Sequence, residues 1–270
     1  MQKNKLKSNA KRVDLFLKNY LKNQKRSLLI SPMNYGVLSG GKKIRSSIIL
    51  ATGKLFNLKS NKLLNICGAV ECIHSYSLIH DDLPCMDNDK LRRGKATAHI
   101  KYGESTAVLA GNSLLTLAFE MISDKRFKVK DNNKVLLIKK LAECSGHTGI
   151  AGGQELDLKY EKKRKKFQEI INMQKKKTGK LFSFCCFAAG QVAQKSKKIN
   201  TELIKTGEDI GLLFQLADDF LDVKGTSKQT GKNVNKDQKK GKSTIINLVG
   251  YDNAYDYAIN LKKKILRNLE

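Results

Sequence analysis

The sequence has few residues that interrupt helices or cross-link a chain. Only two of its 270 residues are proline, and Leu, Ile, Lys and Ala recur at spacings of three and four, which is typical of helices. The six cysteines lack zinc-finger spacing and mostly lie in apolar segments, so we expect reduced, buried thiols in a cytoplasmic protein. No apolar run approaches the roughly 18 residues of a membrane span, and the N-terminus lacks a signal-peptide core. We therefore expect a soluble protein without a membrane span.

Acidic residues are also scarce, because 25 Asp and Glu stand against 52 Lys and Arg, a net charge of +27. Such a charge ordinarily favours nucleic-acid binding, but here the lysines are spread along the chain rather than clustered. Compositional bias explains this spread at least as well, and a basic protein also attracts small anions. A nucleic-acid-binding protein therefore ranks last among the functions weighed, and we expect no nucleic-acid partner.

The periodicity predicts an all-α fold, a single domain of residues 1–270 with about ten helices. The predicted helices cover residues 13–21, 44–56, 62–82, 104–122, 133–151, 167–193, 201–223 and 252–268. A turn region is predicted at residues 32–41, and residues 224–242, rich in Gly, Lys and Asn, are predicted to be a loop.

The scarce acids are concentrated in two motifs inside apolar, helix-like stretches. HDDLPCMDNDKLRRG contains Asp81, Asp82 and Asp87, and LADDFLD contains Asp218, Asp219 and Asp222. Carboxylates crowded on apolar surface repel one another unless something positive lies between them, so the two motifs suggest a shared divalent cation site. Magnesium suits such oxygen ligands and binds through one or two carboxylates plus phosphates. We therefore expect a phosphorylated substrate.

The spacing within each motif makes a further prediction. Asp218 and Asp222 are four residues apart and share one face of a helix. Asp81 and Asp87 are six apart, so a bulge at Pro84 is needed to align them. The simpler interpretation is that these acids cap helices or pair with neighbouring bases. For one motif alone that alternative has even odds, but two motifs of the same form lower it.

Basic residues accompany the acidic motifs. A glycine-rich turn leading into the predicted helix 44–56 reads Gly40, Gly41, Lys42, Lys43 and, two positions later, Arg45. Backbone N–H groups and cationic side chains in such a turn can hold a phosphate. Arg92 and Arg93 follow the first aspartates, and the arginine fork suits bidentate phosphate contacts. Together these groups describe a pocket for two diphosphates, one bound to metal and one held by cationic side chains.

Seven sequence pieces occur in an order that carries a family resemblance. They are GGKKIR, VECIHSYSLIHDDLPCMDNDKLRRG, GGQELDL, KKTGKLF, FQLADDFLD and the GK and KGKST pieces of residues 231–244. From residue 36 to 250 the chain resembles the trans-isoprenyl diphosphate synthases of the polyprenyl synthetase family, and among them the bacterial farnesyl diphosphate synthases. The resemblance implies an isoprenoid synthase-type helical bundle around a deep central cavity, usually a homodimer, with three magnesium ions once substrate is bound. It also implies head-to-tail condensation of isopentenyl diphosphate with dimethylallyl or geranyl diphosphate, giving farnesyl diphosphate and pyrophosphate.

The resemblance also implies roles for individual residues. The magnesium ligands are Asp81, Asp87 and Asp218, with Asp82, Asp219 and Asp222 as supporting acids. Isopentenyl diphosphate is held by Lys42, Arg45, His74 and Arg93. The allylic diphosphate is held by Arg92, Lys177, Lys232 and Lys242. The catalytic groups beside the reacting carbons are Lys177, Thr178 and Gln215.

Product length in this family is limited by bulk below the first aspartates, which implies a cavity floor at Tyr76 and Ser77. Tyr76 precedes Asp81 by five residues, or about 7.5 Å along a helix axis. The alternative interpretation is that Tyr76 is ordinary core packing.

Four of the other assigned residues have a more ordinary structural interpretation. His74 lies almost two turns before Asp81 on the same helix stripe, and alone it is more often a core histidine. Lys177 could be a solvated lysine. Thr178 could bond to the preceding helical turn, and Gln215 could be a satisfied buried amide.

The chain departs from the usual family pattern at several positions. Lys43 replaces a common arginine, Ser46 a common proline and Lys90 a frequent acid. The sequence ends at Glu270, before a helical segment that relatives usually carry. The short C-terminus suggests, as an alternative from another class, a catalytically silent partner subunit. The nearest alternative among enzymes is a geranylgeranyl or geranyl diphosphate synthase, which product analysis would distinguish. A terpene cyclase would replace the second aspartate motif with an Asn, Ser and Glu triad.

Overall fold

The computed structural model describes residues 2–224 and 244–269, without the side chains of residues 2, 3 and 224. In chain order its helices are α1 (Gln2–Lys22), α2 (Ile30–Val37), α3 (Ile44–Leu55), α4 (Leu64–Asp81), α5 (Ala98–Tyr102), α6 (Glu104–Ser123), α7 (Asp131–Ser145), α8 (Ile150–Tyr160), α9 (Phe167–Gln174), α10 (Lys180–Val192), α11 (Lys197–Lys224), α12 (Ile245–Val249) and α13 (Tyr251–Arg267). A 3₁₀ turn (Ser60–Leu63) precedes α4, and a π-helical turn (Lys175–Gly179) joins α9 to α10. The predominantly helical fold is confirmed.

Within residues 2–224 and 244–269, a short β-ribbon of two strands interrupts the helical architecture. Strands β1 (Leu91–Arg92) and β2 (Lys95–Ala96) pair antiparallel, with Leu91 opposite Ala96. Two-residue strands are too short to show an alternating pattern in a sequence, so the ribbon was not predicted. It follows the first aspartate motif directly.

The elements group into two compact units. Unit 1 comprises Met1–Ile138 and Ala188–Gln194, and unit 2 comprises Lys139–Phe187 and Lys195–Glu270. Helices α7 and α10 therefore contribute residues to both units. The single domain of residues 1–270 and the deep central cavity stay predictions.

Unit 1 is built around α4, which is buried from residue 66 to residue 73. Helix α6 packs closely against α4, and the approach depends on Gly111, where a Cβ would lie 2.2 Å from Nε2 of His80. The same Nε2 lies 3.1 Å from the carbonyl oxygen of Val108. This packing fixes the C-terminal end of α4, where the first aspartate motif begins.

Unit 2 has an apolar core supplied by α9, α11, α12 and α13. Its buried members are Ile170, Ile171, Met173, Leu212, Leu216, Ile245, Ile246, Ala254, Ala258, Leu261 and Ile265. Helix α13 adds Tyr251, whose ring centroid lies 5.1 Å from that of Phe220 in an edge-on contact. An ion pair of 2.6 Å joins Lys264 of α13 to the buried carboxylate of Asp209. These contacts hold α13 against α11, the helix that carries the second aspartate motif.

Two of the differences from the helix prediction involve proline and glycine. Pro32 lies in the first turn of α2 rather than in a turn region, since backbone N–H groups there need no partner in the helix. The predicted helix 133–151 is interrupted at residues 146–149, and α8 then continues to Tyr160. A Cβ at Gly149 would lie 2.0 Å from the carbonyl oxygen of Cys144, so this break requires glycine. The predicted loop at residues 224–242 falls almost entirely outside the described residues.

The expectation that no apolar run approaches membrane-spanning length is wrong for α6. Its 20 residues are long and apolar enough to cross a membrane by length and composition, and 44% of the apolar stretch is buried inside the structure. A core helix of a soluble protein meets the same criterion, so the finding alone does not place α6 in a membrane.

Candidate active site

The first aspartate motif begins at the end of α4, where the chain folds back on itself. The N–H of Leu83 still donates to the carbonyl of His80 at 3.1 Å, but Pro84 prevents the helix from continuing. The N–H of Asp87 donates instead to the carbonyl of Asp81 at 2.8 Å. The bulge predicted at Pro84 is therefore confirmed, and it returns the backbone of Asp87 to that of Asp81.

The buried carboxylate of Asp82 is paired with Arg92 of the β-ribbon. Nε of Arg92 lies 2.9 Å from Oδ1 and 2.7 Å from Oδ2 of Asp82. Burial alone would lower the pKa of Arg92, but the hydrogen bond and charge of Asp82 raise it above its ordinary value. The resemblance assigns Asp82 to metal support and Arg92 to diphosphate binding, and the structure pairs these two residues with each other. Arg92 is therefore a fixed cation beside the first aspartate motif.

The next arginine, Arg93, lies over the glycine-rich turn. Its Nη1 donates to the carbonyl of Gly40 and, at 3.3 Å, to the hydroxyl of Ser39. A Cβ at Gly41 would lie 2.7 Å from Cζ of Arg93, and the positive φ of 105° at Gly41 favours glycine as well. Burial and the charge of Arg92 lower the pKa of Arg93. The turn and Arg93, both assigned to isopentenyl diphosphate, are thus in contact.

The basic residues of this turn differ in their surroundings. Lys42 is exposed, Arg45 is partly buried in the first turn of α3, and Lys43 between them is buried. Two of the three can therefore reach a bound anion from the solvent side, while Lys43 faces the protein interior.

His74 lies on α4 within the same group of cations. Burial lowers its pKa well below the ordinary 6.5, and the charges of Arg45 and Arg93 lower it further. The imidazole is therefore neutral near pH 7 and can donate one hydrogen bond to an anion without adding charge. Cations gathered around a neutral histidine in unit 1 could hold an anion.

The two residues assigned to the cavity floor lie half-buried on α4. The ring of Tyr76 is edge-on to the imidazole of His80, with centroids 5.5 Å apart. Burial and the charge of Asp81 raise the pKa of Tyr76, so its hydroxyl stays protonated. The hydroxyl of Ser77 donates to the carbonyl of His74 at 3.0 Å. The role of both residues in product length stays a prediction.

In unit 2, a π-helical turn interrupts the predicted helix 167–193. Its hydrogen bond from the N–H of Lys180 to the carbonyl of Lys175 spans five residues and widens the helix. A Cβ at Gly153 of α8 would lie 2.2 Å from the backbone nitrogen of Lys177. One helical turn later, the carboxylate of Asp157 accepts from Nζ of Lys177 at 2.6 Å. Helix α8 therefore supports the π turn and anchors the lysine.

A chain of hydrogen bonds joins the π turn to the second aspartate motif. The hydroxyl of Thr178 donates to Oε1 of Gln215 at 2.9 Å, and Nε2 of Gln215 donates to Oδ1 of Asp219 at 2.9 Å. The other carboxylate oxygen of Asp219 accepts from Gln174 at 3.1 Å. These bonds fix the amide orientation of Gln215 and leave lone pairs on the Thr178 hydroxyl.

The second aspartate motif lies near the end of α11. Asp218 is exposed, Asp222 is half-exposed and Asp219 is buried. Asp218 and Asp222 lie on one helix, four residues apart, as the spacing predicted. Helix α11 approaches the π turn closely at Gly211, where a Cβ would lie 2.6 Å from Cα of Gly179. That contact positions Gln215 one turn further along.

The donor set of the two motifs fits magnesium. Within residues 2–224 and 244–269, no three His, Cys, Asp or Glu side chains converge as a ready-made metal site. Magnesium does not need one, since it retains waters and binds through one or two carboxylates plus substrate phosphates. Within unit 1, Asp81 and Asp87 could offer carboxylate oxygens to such an ion, and within unit 2 Asp218 could do the same.

Sequence reasoning missed three buried or anchoring residues. Asp157 lies inside the sequence piece GGQELDL, which was recognised, but its ion pair with Lys177 was not predicted. Glu71 likewise lies inside the quoted piece that begins VECIH, whereas Gln174 had no signal, because an amide in helical sequence is usually solvated. Lys232 and Lys242, assigned to the allylic diphosphate, lie outside the described residues.

These features coincide with a known family. A family model described as polyprenyl synthetase matches residues 26–270. The chain belongs to the polyprenyl synthetase family. It is 43% identical to a farnesyl diphosphate synthase of Escherichia coli over 235 residues, covering 86% of this chain and 79% of that protein.

Solved structures of the polyprenyl synthetase family have the same fold. The apo FPP/GFPP synthase of Zymomonas mobilis is 35% identical with a TM-score of 0.87, covering 98% of this chain and 90% of that chain. A geranyltransferase of Helicobacter pylori, complexed with magnesium and isoprenyl diphosphate, is 33% identical with a TM-score of 0.84, covering 98% and 89%. The isoprenoid synthase fold predicted from the sequence is confirmed.

Proposed function

We propose that this chain condenses isopentenyl diphosphate head-to-tail with dimethylallyl and then geranyl diphosphate, giving farnesyl diphosphate and pyrophosphate. The observation that carries the proposal is the conjunction of two aspartate motifs with a cation cluster, in a chain 43% identical to a farnesyl diphosphate synthase. A protein that only bound anions would have no use for the ordered Thr178, Gln215 and Asp219 network.

Isopentenyl diphosphate is assigned to the cation cluster of unit 1. Lys42, Arg45 and Arg93 supply charge, and neutral His74 supplies a hydrogen bond. Arginine and lysine bind diphosphate oxygens through charge-assisted hydrogen bonds. Burial and then the neighbouring cations lower the pKa values of His74 and Arg93, and the negative charge of a diphosphate would offset the repulsion among these cations.

The allylic diphosphate is assigned to the aspartate motifs. Asp81, Asp87 and Asp218 would hold magnesium, with three ions in the loaded enzyme, and Arg92 and Lys177 contact the diphosphate directly. Magnesium, when bound, places positive charge on the leaving diphosphate oxygens. Asp82 keeps Arg92 in place, and Asp157 holds the ammonium of Lys177 through a hydrogen bond. Lys232 and Lys242 belong to the same proposed set.

The reaction follows from the groups near the π turn. The allylic carbon–oxygen bond breaks, and its electron pair leaves with pyrophosphate. Lone pairs of Thr178 and Gln215, and a backbone carbonyl near Lys177, stabilise the carbocation electrostatically. The double bond of isopentenyl diphosphate attacks this cation, and the proton lost from the adduct passes to the released pyrophosphate. No side-chain base is required.

The rest of the proposal concerns the protein as a whole. We propose a single catalytic domain, a homodimer and a cytoplasmic location. Tyr76 and Ser77 form the floor that limits the product to farnesyl length, against the alternatives of geranyl or geranylgeranyl diphosphate.

Turnover of labelled isopentenyl diphosphate tests this function. Purified protein is incubated with magnesium and either dimethylallyl or geranyl diphosphate, and the prenyl products are sized by chromatography. Farnesyl diphosphate should form from both starters and disappear when the metal is chelated. A product of another length would contradict the assignment of farnesyl diphosphate as the product. The absence of prenyl transfer from either starter would contradict the proposed prenyltransferase function.

A further inference from the structure

Lys43 is the one basic residue of the glycine-rich turn that is turned inward. Only 3% of its side chain is exposed. Its Nζ donates to the carbonyl of Val37 at 2.7 Å and lies 3.5 Å from Asp14 and 3.7 Å from Glu71. A buried ammonium with three oxygen partners is a fixed structural group, because none of its donors is left for an outside anion.

Glu71 of α4 binds both Lys43 and the start of α3. Its side chain is also only 3% exposed. Oε1 accepts from the hydroxyl of Ser46 at 2.7 Å and lies 3.4 Å from the backbone nitrogen of the same residue. The opposite carboxylate oxygen faces Lys43. Glu71 therefore ties the junction between the turn and α3 to the buried helix α4.

The backbone at this junction needs such a tie. Lys43 has φ of 45° and ψ of 48°, the left-handed conformation that lysine rarely adopts. Strained backbone persists where surrounding contacts determine it. The anchored ammonium and the Glu71 contacts with Ser46 are such contacts, and they fix the directions in which Lys42 and Arg45 leave the chain.

Glu71 also balances charge among the cations. Its carboxylate, together with that of Asp14, opposes the lowering of the Arg93 pKa. Without Glu71, Lys43 would keep Asp14 as its remaining acidic partner, and repulsion among the neighbouring cations would be stronger. The anion site would then be less well ordered before substrate arrives.

We propose that Glu71 and Lys43 are positioning residues for isopentenyl diphosphate, holding Lys42 and Arg45 in place without touching the substrate. This proposal rests on the proposed function of the cation cluster.

The test compares the Michaelis constants of the two substrates. Glu71→Gln keeps an oxygen for Ser46 and removes the charge, so the KM for isopentenyl diphosphate should rise by about tenfold or more while that for geranyl diphosphate changes little. Glu202→Gln is the matched control, because it breaks an exposed ion pair of 2.9 Å with Lys205 and should change neither constant. If Glu71 had a purely structural role, the variant would have a smaller folded fraction and hence a lower apparent kcat. The KM values for isopentenyl and geranyl diphosphate would then not change by different factors.

Ser46→Ala covers the outcome in which Glu71→Gln fails to fold, since it removes the hydroxyl's hydrogen bonds to Glu71 and to the carbonyl of Cys67 and leaves the ion pair. It should raise the KM for isopentenyl diphosphate by a smaller factor. Equal KM values in wild type and in every folded variant, or a parallel rise for both substrates, would overturn the proposal.

Direct binding separates a failure of this proposal from a failure of the proposed function. Calorimetric titration with inorganic pyrophosphate, without magnesium, measures the cation cluster even in a protein that transfers no prenyl group. Weaker binding by Glu71→Gln than by Glu202→Gln supports the positioning role. Equal binding by the two variants, or no binding by the wild type, overturns it.

Discussion

Replacement of Gly211 by alanine tests how α11 is seated on the π turn. The new Cβ would lie 2.6 Å from Cα of Gly179 and 3.2 Å from Cβ of Phe182, whereas ordinary van der Waals contact begins at 3.4 Å. The nearest neighbour is a backbone atom, so no side-chain rotation relieves the clash. Relief needs a shift of about 0.8 Å between α11 and the π turn.

Two effects of the alanine oppose each other. Alanine favours a helix over glycine by about 1 kcal/mol, while overpacking a close contact costs about 1–3 kcal/mol. Because this contact is between backbones, we expect the upper part of that range and a net loss of about 1–2 kcal/mol in the free energy of unfolding. The same shift strains the 2.9 Å bond between Thr178 and Gln215, so the maximal rate of farnesyl formation should fall by up to about a hundredfold.

Gly179→Ala is the matched control, since it adds the same methyl group to the other side of the contact. Its nearest atom would be the carbonyl oxygen of Glu208 at 3.3 Å, so the free energy of unfolding should stay within about 1 kcal/mol of wild type. Urea denaturation followed by circular dichroism measures both variants. A Gly211→Ala protein as stable and as active as its parent would refute the reasoning.

Three further predictions concern the proposed site. The folded-state pKa of His74 lies below the ordinary 6.5, so as pH falls the unfolded chain binds a proton before the folded protein does, and stability is lost below pH 6.5. The His74→Gln variant should therefore lose less stability than wild type between about pH 7 and pH 5.5, as measured by denaturant midpoints. The Asp81→Asn variant should lower magnesium-dependent turnover by about a hundredfold or more. The control variant Asp252→Asn changes an exposed acid in the first turn of α13 and should leave turnover unchanged. Equal turnover in both variants would show that Asp81 is not a metal ligand. Tyr76→Ala should lengthen the products seen on chromatography, and unchanged product length would rule out the floor role.

Much of the fold could be predicted because helical periodicity is strong where one face of a helix is buried. The fold-back after α4 was also predictable, since Pro84 cannot continue a helix and Asp87 must be realigned with Asp81. Most of helix α8 was missed, because the predicted helix ended at residue 151, before Gly152 and Gly153. In the structure, Gly153 serves instead for close approach to the π turn.

The partners of charged residues were harder to predict than their positions. Asp82 and Arg92 are ten residues apart, and only the two-residue ribbon brings them together. Lys43 was predicted to be one of the cations of the phosphate-holding turn, yet it is buried against Glu71, which is 28 positions away in sequence. Such pairings depend on packing between elements and leave no local pattern.

The central claim is that both aspartate motifs bind metal around one allylic diphosphate. Its most direct test is a crystal structure with manganese in place of magnesium and an unreactive allylic diphosphate analogue, with the metals located by anomalous scattering. We predict metal peaks bonded to Asp81 and Asp87 and to Asp218, all sharing oxygens of the same diphosphate. Metal at only one motif, or a diphosphate bound without either motif, would contradict the account.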